Sequence, residues 1–215
     1  MREILGPAPA PGAATGRSGP RGTLRPAGLH DLRKRPAPVA LRYPPADLVV
    51  VSGLPGSGKS TLLRRCARAR VIDSQHVREH YQARLPARLP YALYRPLVRL
   101  SHYLRLRRAL RAGGPLLVHD CGTLPWVRGW LARTAARQGR ALHLVLLDVS
   151  PAEAAEGQAA RGRRVSAYAF GRHRRATAGL RERLAGSGGP PAGCASAVVL
   201  DRAGALDLQD IEFTA

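Results

Sequence analysis

This sequence predicts an α/β fold built on a parallel sheet, and three observations carry that expectation. From Asp47 onward, short apolar runs rich in Val and Leu alternate with longer helical stretches. Repeated strand–helix alternation packs as a parallel sheet covered by helices on both faces. The first run, Leu48-Val49-Val50-Val51, enters a glycine-rich loop that a helix then leaves. Acidic residues follow the successive strands, at Asp73, Asp120, Asp148 and Asp201, the carboxyl edge where open parallel sheets bind ligands.

Residues 1–45 are expected to form a disordered tail ahead of one domain at 46–215. Nine of the 18 prolines and seven arginines fall in it, with almost no apolar periodicity. Such a composition buries too little surface to offset its ordering entropy. The tail reads either as a basic tether for nucleic acid or as an extension upstream of the true start, and the second is favoured. After the first strand, Thr61 to Ala67 reads as a helix and Arg70-Val71-Ile72 as a short strand. Helices are predicted over Val77 to Leu85 and Tyr91 to Ala112, divided by Pro86 and Pro90 and ended by Gly113-Gly114. Leu97, Leu100, Leu104, Ala109 and Leu110 recur along the second at roughly helical spacing. Leu116-Leu117-Val118 is a third strand, Trp126 to Gln138 a helix stopped by Gly139, and Leu142 to Leu147 a fourth strand. Ser150-Pro151-Ala152-Glu153 has the form of a capping box with proline at the first helical position. An arginine-rich stretch at 161–175 leads into a helix to about Leu184, a loop from Gly186 to Gly193, and a last strand, Ala197 to Leu200.

At 215 residues with 45% hydrophobic content, one domain can bury a core, and 5% aromatic content makes that core mostly Leu, Val and Ala. The net charge of +21 fits a partner that carries phosphates, whether nucleotide, nucleic acid or an acidic surface. Abundant Arg, Ala, Gly and Pro beside scarce Lys offer the plainer reading of a GC-rich coding sequence. The three cysteines show neither metal spacing nor a disulfide framework, so a reducing cytoplasm is expected. No apolar run approaches the ~20 residues a membrane span needs, and Glu3 and the early prolines argue against a signal peptide.

Gly53-Leu54-Pro55-Gly56-Ser57-Gly58-Lys59-Ser60-Thr61 matches the G-x-x-x-x-G-K-[ST] pattern of a loop that wraps a nucleoside triphosphate. Gly53, Gly56 and Gly58, with Ser57, let backbone N–H groups converge on phosphates, and the following helix N-terminus adds partial positive charge. Lys59 is the one lysine beyond residue 45. A compact, mobile ammonium reaching the β- and γ-phosphates does what a planar guanidinium does not. Ser60 would offer its hydroxyl to Mg²⁺, and Thr61 would approach the α-phosphate.

Asp120, closing Pro115 to Asp120, is expected to organise the metal's water shell, against the alternative of a loop aspartate capping the next turn. Asp73 stands either as general base for an attacking hydroxyl or as a simple helix N-cap. Arg161, Arg163 and Arg164 are expected on a lid that neutralises charge on a transferred phosphoryl group, against a solvated basic face. The histidines show no metal-ligand spacing and read as core or surface residues.

With these residues assembled, the chain resembles the P-loop kinase superfamily, closest to small bacterial AAA-family ATP-binding proteins of the polynucleotide-kinase-like and zeta-toxin-like group. The resemblance covers about residues 46–213 and is most specific over Leu48 to Leu63; His119 to Thr123, Trp126 to Arg128 and Arg161 to His173 share it. It implies a three-layer sandwich with a five-stranded parallel sheet of order 2-3-1-4-5, a lid between the fourth and fifth strands, ATP and Mg²⁺. Many members carry S-x-D-x-x-R after the second strand; here Gln75 stands at the acid position, Arg78 is kept, and an acid stands instead at Asp73. The function expected is transfer of the γ-phosphoryl group of ATP to an unknown small-molecule or nucleic-acid-end acceptor. Two rivals stay open: a nucleotide-switched ATPase acting on a protein partner, and a nucleic-acid-binding module using the basic surface, which few aromatics for base stacking weaken.

Overall fold

From Asp47 onward the chain alternates strand and helix as expected, and the computed structural model describes residues 22–86, 88–119, 125–160 and 165–215. Three short strands come first: β1 (Thr23–Leu24), β2 (Gly28–Asp31) and β3 (Ala40–Tyr43). Then follow β4 (Leu48–Gly53), α1 (Lys59–Cys66), β5 (Arg70–Ile72), α2 (Ser74–Gln82) and α3 (Tyr91–Ala112). β6 (Leu116–His119), α4 (Pro125–Ala136), β7 (Leu142–Leu147) and α5 (Pro151–Ala159) continue the alternation. The chain ends with α6 (Ala167–Ser187), β8 (Ser196–Leu200), α7 (Arg202–Asp207) and β9 (Asp210–Phe213).

The main sheet is parallel throughout, in the order β2-β8-β7-β4-β6-β5. Its last five members, β5-β6-β4-β7-β8, stand in the 2-3-1-4-5 order expected. The expected strand count is corrected from five to six, because β2 adds to the outer edge of β8 with Gly28 opposite Ser196 and Asp31 opposite Val199.

Period-two alternation explains why the central strands are apolar on both sides. Leu48 and Val50 face one core with α3, α4 and α6, through Leu106, Leu131 and Leu180. Val49 and Val51 face a second core with Leu62, Leu63 and Cys66 of α1. Beyond α1 and the short α7, whose Ala205 packs against it, that second layer is built from strands. Leu41 and Tyr43 of β3 and Ile211 of β9 fill it, on a separate parallel sheet of order β1-β3-β9.

The expectation of a disordered segment through residue 45 is therefore corrected from residue 22 onward. Leu41 and Tyr43 are fully buried, and the strand that pairs with β3 lies at the far end of the chain, Ala40 opposite Asp210. Composition read in a local window misses apolar residues whose partners are remote. Residues 1–21 lie outside the described residues.

α3 divides the recurring apolar positions read along it: Ala109 and Leu110 are buried, while Leu97, Leu100 and Leu104 are not. Its buried side chains are Tyr94, Val98, Leu106, Ala109 and Leu110, while Leu93, Leu97, Leu100 and Leu104 are exposed. At the amino edge of the sheet a buried polar group is fully matched: Asp47 Oδ2 lies 3.0 Å from His143 Nε2, and His143 Nδ1 lies 2.8 Å from Ser196 Oγ. Asp47 Oδ1 also accepts from Ala141 N at 2.8 Å. This confirms His143 as a core residue. No helix among the described residues is long and apolar enough to cross a membrane.

Candidate functional site

The carboxyl end of β4 opens into the glycine-rich loop, and α1 begins at Lys59. Gly58 N-caps α1 with φ 97° and no side-chain cap, a left-handed conformation that glycine adopts without penalty. Gly58 itself supplies no side-chain acceptor to the opening amides of α1, which lie at the positive end of the helix dipole. Gly56 is needed for a different reason. A Cβ there would overlap the Ala154 carbonyl, and a Cβ at Gly157 would overlap the Gly56 carbonyl, so the loop is seated directly on α5. Gln158 fastens the contact: its Nε2 donates to Pro55 O at 3.2 Å, and its Oε1 accepts from Val165 N at 3.0 Å. α5 itself starts with the expected capping box, Ser150 and Glu153 exchanging bonds.

Lys59 is buried, and its Nζ donates to Gly53 O and Leu54 O at 2.8 Å each. Those carbonyls hold the ammonium over the mouth of the loop. Ser60 meets the next strand: its Oγ donates to Asp73 Oδ2 at 3.4 Å and lies 3.4 Å from His119 Nε2. Asp73 Oδ1 in turn lies 3.2 Å from His119 Nδ1 and accepts from Gln75 N at 2.8 Å. Asp73 is therefore the N-cap of α2 and a neighbour of Ser60 at once. Oxygen donors such as the Ser60 hydroxyl and the Asp73 carboxylate suit a hard cation like Mg²⁺. Among the described residues no group of three or more His, Cys, Asp or Glu gathers as a self-sufficient metal cluster.

Beside the loop lies a cleft of about 900 Å³. Gly56, Gly58, Lys59 and Ser60 form one wall, and α2, α3 and α6 form the others. Gln75, Arg78 and Glu79 come from α2, Arg95, Arg99 and His102 from α3, and Tyr168, Arg172 and His173 from α6.

The other edge acids serve the scaffold. Asp148 Oδ2 accepts from Arg33 Nη1 at 2.8 Å and pairs with Arg181 Nε at 3.4 Å. Asp201 caps α7, accepting from Gly204 N and from Lys34 N at 2.8 Å each. Asp120, Arg161, Arg163 and Arg164 lie outside the described residues. Sequence reasoning passed over Gln158, Gly157 and the cleft arginines of α3 and α6. The first two had no local signal; the arginines were masked by how common arginine is in this chain. His119, read from the sequence as a core or surface histidine opening the family-like stretch to Thr123, stands beside Ser60.

The AAA domain family matches residues 48–184. Among solved structures, a candidate kinase from Chloroflexus aurantiacus J-10-fl superposes with a TM-score of 0.51 at 16% identity, over 73% of this chain and 88% of that one. The tunicamycin resistance protein of Deinococcus radiodurans gives 0.40 at 17% identity, over 63% and 80%. TT1252 from Thermus thermophilus gives 0.40 at 22% identity, over 77% and 92%. No curated protein matches.

Proposed function

Since the chain belongs to the AAA domain family and has the fold of a P-loop kinase-like nucleotide-binding protein, we propose that it is an ATP-dependent phosphotransferase. The observation that carries this reading is the seating of Lys59 and Ser60 at the edge of a roomy cleft, with Asp73 hydrogen-bonded to Ser60. A pure nucleotide switch has no need of an acceptor-sized cavity beside its phosphate loop.

In this reading the amides of Gly53, Gly56, Ser57 and Gly58 receive the β-phosphate, Lys59 reaches from its carbonyl rest position to the β- and γ-phosphates, and Thr61 lies by the α-phosphate. Ser60 and Asp120 would hold Mg²⁺, which supplies charge neutralisation on the β- and γ-oxygens. Asp73 either accepts the proton of the attacking hydroxyl or orients metal-bound water; its approach to Ser60 favours the second. Arg161, Arg163 and Arg164 would close over the transferred group; Gln158 bonds both to the loop at Pro55 and to Val165.

The test is Lys59→Ala in the full chain. Mg·ATP turnover should fall about 100-fold, the scale of losing one preorganised charged donor, while the melting temperature holds. Unchanged turnover would remove the loop from the chemistry. In the wild type, ADP release that rises with a hydroxyl acceptor supports a kinase; release indifferent to every acceptor but raised by a partner protein would replace it with the switch ATPase.

A further inference from the structure

The cleft wall away from the loop is built of arginine. Tyr91, Arg95, Arg99, His102 and Leu106 line it from α3, at steps of three and four that define a single helix face. Arg78 joins them from α2, Arg172 from α6 and Arg64 from α1. Among the described lining residues Glu79 is the single carboxylate, and Gln75 Nε2 donates to it at 2.9 Å. Arg33, Arg42, Arg68, Arg181 and Arg202 are held in ion pairs, and none of these five lines the cleft.

Arg78 is the most organised of the set. Its guanidinium lies 4.2 Å over the Tyr91 ring, and its Nε is buried with no hydrogen-bond partner among the described residues. A stacked guanidinium keeps its outer N–H fork in a fixed direction, the geometry that reads phosphate oxygens in pairs.

Cationic groups gathered in a concave site repel one another and raise its potential, and an anion relieves both. The nucleotide's own charge already has partners in the loop amides, Lys59 and the metal. We propose that the phosphoryl acceptor is a hydroxyl compound that already carries a phosphate group, held by Arg78, Arg95 and Arg99. This rests on the kinase reading of the same site. The acceptor oxygen bonds the γ-phosphorus as the bond to the β–γ bridging oxygen breaks. ADP leaves with that electron pair, and the hydroxyl proton passes to Asp73 or to water. A neutral sugar or nucleoside would leave the arginine face unmatched.

The experiment compares labelled ATP with matched acceptors in the full chain: ribose against ribose 5-phosphate, adenosine against adenosine 3′-monophosphate, and an oligonucleotide with a 5′-hydroxyl end. At least one phosphate-bearing acceptor should exceed its neutral partner about tenfold or more in kcat/KM; the pair that does so separates a small molecule from a nucleic-acid end. The double variant R95A/R99A should raise that acceptor's KM about tenfold and leave the KM for ATP within about twofold, with R95K/R99K recovering part of the loss. Both positions are exposed on α3, so the melting temperature should not move. Neutral acceptors used as well as phosphorylated ones, or an equal rise in the KM for ATP, would overturn the proposal while the kinase survives. Should no acceptor be phosphorylated, the kinase reading falls instead. Equilibrium dialysis of the same phosphorylated probes with a non-hydrolysable ATP analogue then decides: binding lost in R95A/R99A keeps the anion site, and no binding removes it.

Discussion

Asp73 lies at the meeting point of α2, Ser60 and His119, and its two roles have different kinetic signatures. If it orients the metal's water beside Ser60, Asp73→Asn should weaken Mg²⁺-dependent ATP affinity and slow turnover with every acceptor. If it is only the proton acceptor, ATP affinity holds and the chemical step alone falls, by about 10²–10⁴-fold. Titrating Mg²⁺ against ATP turnover in the variant distinguishes them, and the 3.4 Å contact to Ser60 leads us to expect the first. Lys59 and Ser60 were legible because the loop encodes its geometry in nine consecutive residues. Asp73 was legible as a candidate but not as a neighbour of Ser60, since that contact spans two strands. Gln158 was invisible for the same reason, its partners being Pro55 and Val165.

Among the elements, the two faces of α3 show how a periodic pattern misleads. A regular leucine spacing suggests a core stripe, yet Leu93, Leu97, Leu100 and Leu104 point outward and the aromatic and arginine positions between them turn to the cleft. Which face is buried depends on where α2 and the sheet lie, which spacing alone does not encode. α7 and β9 escaped the sequence reading because each is very short. α7 nevertheless has a definite start: backbone N–H groups of Gly204 and Lys34 hold the Asp201 carboxyl below its usual 3.8. As the folded value is the lower one, this contribution is complete above the unfolded value and is lost as pH falls through the folded one. Asp201→Ala should cost about 1 kcal/mol at pH 7, and the two melting curves should converge as pH falls through the lowered folded value. A constant gap across that range would mean that the carboxylate charge is not what the cap uses.

At the scale of the molecule, two parallel sheets share the second of the two cores; the central strands were readable because most announce themselves with a buried apolar run, while their order came from the family resemblance. What could not be read was the closing of the chain on itself. β3 pairs with β9 and β2 with β8, while Arg42 binds Glu212 at 3.0 Å across 170 residues of sequence. A chain beginning at Pro45 should therefore melt well below the full protein, by more than about 10 °C, since Leu41 and Tyr43 each contribute on the order of 2 kcal/mol through burial. Equal melting temperatures would show the small sheet to be dispensable. The same closure has a consequence during synthesis. β3 leaves the ribosome early and waits for Ile211, made long after it, so Leu41, Tyr43 and the α1 side of the main sheet stay uncovered until β9 emerges. Pairings this distant in sequence are slow to form. The newborn protein should therefore depend on chaperones and gain protease resistance only after β9 has emerged and paired with β3.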